Sequence, residues 1–358
     1  MSPYRLSNYG KISSDTIKYR GAIAGNIGRY AGVLLVGNSG TPYLTTYAWS
    51  NATGFGAKAG NPDTLPGGKV RDIDSSGISI FYATEGSSPN LFAYTTLGGP
   101  NIKYADPSTI PSFYSYGISY NATASAVAVA NYNTPYILAY AWSAAGFGAK
   151  YSDPASLPGT QGLSVRFNNA GTVLAVEHLT SPYISVYNWS SGFGSKFSDP
   201  ATLPPNPTYD GSIAFTSNDS AIALAIGSFG GEYVVAYPWS NSTGFGTKYT
   251  APATMPGYDA YHVTFSPNNS NIAVSTSGSG TYVYPWSPGF GTKYANATTH
   301  YSATYQASFN SSSSVIALGL NASPYVAAYN WSSGFGTKFA DPTSTPTSAG
   351  TAVKFVGI

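Results

Sequence analysis

The sequence predicts an all-β fold, a seven-bladed propeller of four-stranded antiparallel blades closed by a C-terminal strand. Three observations predict it. Trp49, Trp142, Trp189, Trp239, Trp286 and Trp331 each precede a Gly-Phe-Gly-x-Lys segment, and a degenerate seventh copy has Thr96 where Trp is expected. Successive anchors lie 47, 46, 47, 50, 47 and 45 residues apart, the period of a four-stranded blade. Composition excludes a helical repeat of similar length. Only 8% of residues are charged, Gly (40) and Pro (25) are frequent, and Tyr, Ser, Thr and Val dominate where a solenoid would need Leu, Ala, Glu and Lys.

Each unit divides into four strands, a to d from the axis outward, most clearly in the fourth. There Ser164-Val-Arg-Phe167 is followed by a turn at Asn168-Asn-Ala-Gly171 and then by Val173-Leu-Ala-Val176. After a loop to Pro182 come Tyr183-Ile-Ser-Val-Tyr-Asn-Trp189 and Gly192-Phe-Gly-Ser-Lys-Phe197. Alternating apolar residues in strands a and c give one face to each neighbouring blade. Strand b is apolar nearly throughout, as in Ile222-Ala-Leu-Ala-Ile226 and Val315-Ile-Ala-Leu318, which fits a strand buried on both faces.

Strand d would be an exposed edge. Lys58, Lys103, Lys150, Lys196, Lys248, Lys293 and Lys338 place one charge on each, which discourages edge-to-edge pairing. The Phe of this segment (55, 147, 193, 245, 290, 335) takes the side opposite the Lys only if the strand shifts phase, and whether a Gly-assisted bulge does so stays open here. Asp106, Asp153, Asp199 and Asp341 follow the Lys by three residues, precede Pro, and read as caps of the turn into the next blade.

Residues 1–20 match no repeat and carry Arg5, Lys11, Lys18 and Arg20, an N-terminal arm that either caps the ring or tethers a partner. Residues 21–358 form one domain, since a continuous repeat leaves no linker. The chain ends on Ala352-Val-Lys-Phe355, a strand a with no blade after it, so it is expected to complete blade one from the inside. Alternatively it shares that blade with Ala22–Ile27, a poor copy of the same strand. Cys is absent, so disulfides, thiolate metal sites and a Cys nucleophile are excluded. The first residues contain no signal-like apolar run, and no stretch is long enough to span a bilayer. A net charge of +2 implies neither a nucleic-acid nor an anionic-membrane partner.

Val263-Thr-Phe-Ser-Pro-Asn-Asn-Ser-Asn-Ile-Ala-Val274 followed by Thr281-Tyr-Val-Tyr-Pro-Trp286 resembles a WD-repeat blade, in which a hydrophobic strand, a Ser-Pro-Asp-Gly-like turn and a strand ending in Trp-Asp come in this order. The likeness spans residues 21–358 and implies a propeller with a scaffolding habit. Ser stands where each Trp-Asp would have Asp, and no Gly-His precedes strand a, so the family's buried Asp and His network is not implied. The Trp-Ser, Gly-Phe-Gly-x-Lys and Asp-Pro segments are also similar to propeller repeats of tailed-phage structural proteins. That likeness implies a virion surface or tail-associated setting.

Catalytic chemistry is sparse. His178, His262 and His300 sit in different units, and there is no His-x-x-x-His, no His-Glu-x-x-His and no Gly-x-Ser-x-Gly. Asp72-Ile-Asp-Ser-Ser-Gly77 starts like a calcium loop but aligns with the ordinary a-to-b turn, so no metal or other cofactor is expected. Tyr is concentrated in the segments before strand a, on the ring face shared with the b-to-c loops. Tyr114, Tyr116, Tyr209, Tyr258, Tyr261, His262 and Tyr301 are the candidate ligand-binding residues. Tyr with neighbouring Asn, Ser and Asp suits stacking and hydrogen bonding to a neutral carbohydrate or a flat protein surface; the alternative is that these rings wedge between blades or line the axis without a ligand.

The expected function is a non-enzymatic structural or attachment module that binds protein partner subunits, a neutral surface glycan, or further copies of itself. The competing expectation is a propeller glycan hydrolase or lyase using Asp72, Asp74, Glu85 or Glu177 with His178. A cluster of acids at one end of the channel would distinguish it.

Overall fold

The computed structural model describes residues 32–86, 88–95, 102–121, 126–207, 211–227, 231–299 and 303–357. Seven sheets form the blades of a ring. Blade one takes its inner strand from the C-terminus: β26 (Gly350–Val356) lies beside β1 (Gly32–Asn38), then β2 (Leu44–Ser50) and β3 (Gly54–Lys58). Blade two is β4 (Lys69–Ser75), β5 (Ser79–Glu85) and β6 (Leu91–Thr95). Blade three is β7 (Ser115–Tyr120), β8 (Ala126–Asn131), β9 (Ile137–Ser143) and β10 (Gly146–Lys150). Blade four is β11 (Gly162–Phe167), β12 (Val173–His178), β13 (Ile184–Trp189) and β14 (Phe193–Lys196). Blade five is β15 (Gly211–Phe215), β16 (Ala221–Ile226), β17 (Val234–Ser240) and the short β18 (Gly244–Phe245). Blade six is β19 (Ala260–Phe265), β20 (Asn271–Thr276) and β21 (Thr281–Pro285); blade seven is β22 (Thr304–Phe309), β23 (Val315–Leu320), β24 (Val326–Trp331) and β25 (Phe335–Lys338).

Closure follows the first of the two readings. β26 pairs antiparallel with β1, Leu34 opposite Phe355 and Val36 opposite Val353, so strands from distant parts of the chain share one sheet and blade one gains the inner strand that the start of the described chain does not supply. Residues 1–31, which include the N-terminal arm and Ala22–Ile27, lie outside the described residues. The second strands are buried along their whole length in β8, β12, β16, β20 and β23, as expected of strands sandwiched between two blades.

The outer strands carry the phase shift that the sequence left open. In blade one Trp49 faces Phe55 but Tyr47 faces Lys58, so strand d has one residue more than strand c across the interval, which is a bulge. The Phe ring turns inward edge-on to Trp, with centroids 5.1 Å apart in blades one and four, and the Lys turns out. Strand d shrinks to two residues in blade five and to a Trp286–Phe290 bridge in blade six. Pro238 and Pro285 explain this, because they occupy the position whose N–H would pair with strand d. In blade two only a Tyr94–Lys103 bridge is described. The Asp three residues after Lys accepts an ion pair from that Lys in blades two, three, four and seven, a more specific role than the turn cap expected of it.

A repeated tyrosine two residues before the Trp position ties six of the seven blades to the segment entering them, blade three being the exception. The hydroxyls of Tyr47, Tyr94, Tyr187, Tyr237, Tyr284 and Tyr329 donate to the main-chain oxygens of Ser344, Thr64, Ser156, Thr202, Thr254 and Thr299 at 2.6–3.1 Å. Burial pushes the Tyr187 hydroxyl up to about 12, so it remains a donor at any physiological pH. On the opposite face, the a-to-b turns hold one another. Asp219 accepts from Asn169 N, Ala170 N and Asn168 Nδ2, Asn269 accepts from Ser217 N, and Ser313 accepts from Asn268 N. Gly350 starts β26 so close to the preceding blade that a Cβ would lie 2.2 Å from Tyr325 O. Only Gly admits that approach.

Candidate functional site

Strands a converge on the axis, and their register stacks side chains there in layers. Near the loop face, where strands a begin, lie Arg71, Tyr116, Tyr261 and Tyr305. Beneath them come Asp72, Ser164, Ser212, His262 and Gln306, opposite Ala83, Glu177, Ala225, Ser275 and Gly319 of the second strands. The layer toward the turn face contains Asp74, Ser119, Arg166, Thr264, Ser308 and Lys354.

Asp72 and Asp74 therefore lie in β4 and not in the a-to-b turn to which the alignment assigned them. Because they are two residues apart on a strand, both point to the axis. Asp72 Oδ1 accepts from Ile73 N, Arg166 Nη2 and Gln306 Nε2 at 2.9, 3.1 and 3.2 Å, while Oδ2 accepts from Ile118 N at 3.1 Å and faces Arg166 Nη1. Asp74 accepts from Lys354 Nζ at 2.6 Å and from Tyr120 N at 2.7 Å. Burial works against the Asp74 charge, but Lys354 and Arg166 outweigh it and hold the carboxyl below its ordinary range. This charged plug crosses from blade two to blades one, three, four and seven. No group of three or more metal-ligating side chains occurs among the described residues.

Charge placement in the chain is sharply divided. Of the eleven described Lys and Arg, seven are the strand-d lysines and the other four, Lys69, Arg71, Arg166 and Lys354, all line the axis. Above the plug, Arg71 is ion-paired to Glu85 at 2.6 Å and its guanidinium lies 5.2 Å from the Tyr116 ring. Tyr261 and Tyr305 stack at 5.3 Å with planes 10° apart, and Lys69 Nζ sits 5.8 Å from the Tyr305 ring.

The predicted tyrosines divide accordingly. Tyr116, Tyr261 and His262 meet at the axial mouth. Tyr114 lies beside it, 6.2 Å from both Tyr116 and Tyr132 and 4.0 Å from the half-exposed Phe113. Tyr258 is exposed and lies against Gly278, away from the axial lining. Tyr209 and Tyr301 lie outside the described residues. Sequence reasoning missed Tyr132, Tyr305 and Arg71. Tyr305 carried a signal, since it stands one residue before the axis-facing Gln306 as Tyr261 stands before His262. Next to Tyr132 a groove of about 440 Å³ runs between blades three and four, walled by Tyr132, Tyr136, Asn133 and Gln161. The buried Gln161 Nε2 has no hydrogen-bond partner there.

The candidate catalytic acids do not gather. Asp72, Asp74 and Glu85 are each ion-paired. Glu177 is fully buried between blades four and five, against Gly211, with neither carboxyl oxygen partnered; burial raises it well above the usual range. His178, next in sequence, points to the opposite side of β12, where its Nε2 meets Ser185 Oγ at 3.0 Å. Burial lowers His178 to about 4. His262 is held neutral first by burial and then by the charges of Arg166 and Lys354.

No family model matches the chain, and no curated protein matches it in sequence. Solved structures do match its fold. A Bacteroides fragilis protein provisionally assigned as a 6-phosphogluconolactonase aligns with TM-score 0.70 and 14% identity over 92% of this chain and 99% of its own. A Bacteroides uniformis protein with the same provisional assignment aligns with TM-score 0.68 and 12% identity over 91% and 99%. A functionally unknown protein from Desulfotomaculum acetoxidans gives 0.63 and 11% over 91% and 99%. At such identities the likeness carries the propeller architecture alone, and none of these neighbours is described as a WD-repeat or phage protein.

Proposed function

We propose that the protein is a non-enzymatic attachment module whose loop face recognises a neutral glycan or a partner protein surface. The observation that carries this reading is the pair of aromatic groups bordering the axial mouth on the loop face, the cluster of Phe113, Tyr114, Tyr116 and Tyr132 and the stacked Tyr261 and Tyr305. Flat rings flanked by amide and hydroxyl side chains bind sugar C–H faces and protein backbones with little loss of side-chain entropy. The floor beneath supports binding over hydrolysis. Asp72 and Asp74 are neutralised by Arg166 and Lys354, so neither is poised as a general acid, and a paired-carboxylate mechanism needs one carboxyl protonated and one ionised across the bond.

The setting we propose is a virion surface or tail-associated assembly, based on the Trp-Ser and Gly-Phe-Gly-x-Lys repeats. A lactonase role, which the names of two structural neighbours suggest, has no corresponding support from free acids at the mouth. Glycan-array binding by the purified chain, with light scattering to detect self-association, tests the reading. Saturable binding to neutral glycans, or a defined complex with a protein subunit of the same assembly, is expected. Turnover of a sugar lactone or cleavage of an oligosaccharide would overturn it.

A further inference from the structure

The axis has a second end, and the loop-face reading leaves it unused. Below the plug a cavity of about 450 Å³ opens between the a-to-b turns, within the size range of small-ligand sites. Its walls are main chain and hydroxyls from alternate positions of strands a, while the rings of Phe167, Phe215 and Phe265 at the intervening positions pack edge-on against Trp189, Trp239 and Trp286. Ser119 Oγ accepts from Phe167 N, so its own O–H is unspent. Thr264 and Ser308 donate to Phe265 O and Phe309 O, leaving their oxygens as acceptors. Between this cavity and the loop-face mouth, lining both, sits His262, 9% exposed, with Nδ1 lacking any partner. Such a buried polar atom carries a desolvation cost unless a ligand or water meets it. The cavity's charges cancel locally, Lys354 against Asp74 and Arg166 against Asp72, which disfavours a charged occupant.

We infer that this turn-face cavity is a second binding site, for a small neutral polyhydroxyl molecule such as a monosaccharide or cyclitol, hydrogen-bonded to His262, Ser119, Thr264 and Ser308. The hydroxyls and the imidazole suit the alternating donors and acceptors of such a ligand. Asp72, Arg166, Gln306 and His262 form the layer between this cavity and the loop-face tyrosines, so His262 borders both ends and the filled and tyrosine variants together tell them apart.

The full chain is titrated with D-glucose, D-galactose and myo-inositol, and with D-galacturonate as charged control. Binding is followed on the imidazole Cε1–H signals in NMR; His262→Gln identifies the relevant one among three histidines. A saturable shift of the His262 signal is expected with at least one neutral probe, at least ten-fold weaker with galacturonate. It should vanish in Ser308→Phe and in Thr264→Phe, either of which fills the cavity, and persist in Tyr116→Ala/Tyr261→Ala. Far-UV circular dichroism and an unchanged unfolding midpoint establish which filled variant is folded. The inference is overturned if no neutral probe shifts the signal well above millimolar concentration. It is equally overturned if the shift survives both filled variants or disappears with the tyrosine pair, results that would move binding to the loop face without touching the proposed function.

Discussion

Replacing Asp72 by Ala should destabilise the ring more than any other single change at the axis. The carboxylate receives hydrogen bonds from Ile73 N, Ile118 N, Arg166 and Gln306, and its side chain is 7% exposed against 19% for Arg166. Removing one partner of a buried ion pair leaves the other charge uncompensated, which costs about 3–5 kcal/mol. Asp72→Asn keeps the volume but presents an amide to donors, so its cost should be similar. Removing both charges in Asp72→Ala/Arg166→Met should recover part of the loss. Urea unfolding followed by Trp fluorescence and by circular dichroism, with coincident transitions as the test of cooperativity, gives the free energies. A cost for Asp72→Ala below about 1 kcal/mol, or strict additivity of the two single changes, would refute the view that the plug holds the blades together.

Four further outcomes follow from the same structure. Tyr237→Phe and Tyr284→Phe should each cost about 1 kcal/mol by losing the tie to the entering segment, whereas Tyr140→Phe should be neutral because the Tyr140 hydroxyl has no partner; equal effects in all three would contradict the tie. Glu177→Ala, which installs the residue found at Ala83, Ala130 and Ala225, should raise stability near neutral pH by about 1–3 kcal/mol. Because burial raises Glu177, the native protein loses stability as pH climbs above the ordinary glutamate range, and the variant should lack that slope. His178 has the opposite sign. Its folded value of about 4 lies below the ordinary 6.5, so its contribution is intact above pH 6.5 and is lost as pH falls toward 4, by up to roughly 3 kcal/mol. His178→Asn, copying Asn38 and Asn131, should flatten stability over that window. Lys354→Met should likewise weaken acid-side protection, since Lys354 helps depress Asp74, whose contribution is complete above the ordinary carboxylate range and lost as pH drops through its lowered value.

The ring was legible because its signals repeat. Trp at intervals of 45 to 50 residues, with Gly-Phe-Gly-x-Lys after each, marks strand d and the blade boundary together, and Ala352–Phe355 standing as a strand without a blade foretold the closure seen between β26 and β1. What did not repeat was harder to read. Asp72 and Asp74 looked like turn residues because Asp-x-Asp-x-x-Gly is a turn signature, and only the pairing of Asp72 with Ala83 places them on the axis. The cations that neutralise them come from Arg166 and Lys354, more than ninety and two hundred residues away in sequence, and single-chain periodicity carries no record of which blades meet across the centre. The tyrosine face was anticipated in part of its membership, since Tyr114, Tyr116 and Tyr261 stand at or beside the axial mouth while Tyr132 and Tyr305 were not foreseen. Tyr261 meets Tyr305 across two blades, and Tyr114 meets Tyr132 across the paired ends of β7 and β8, whereas Tyr258, adjacent in sequence to the same cluster, lies against Gly278 instead.

The account rests most on the loop face as the recognition surface. Its most direct test is glycan-array binding by three proteins side by side: the native chain, Tyr116→Ala/Tyr261→Ala/Tyr305→Ala, and Ser308→Phe as a folded control altered only on the turn face. The account predicts that native binding is reduced at least a hundred-fold in the tyrosine variant, as expected when several stacking contacts of about 1 kcal/mol each are lost together, and is unchanged in the control. Native-strength binding by the tyrosine variant would contradict it.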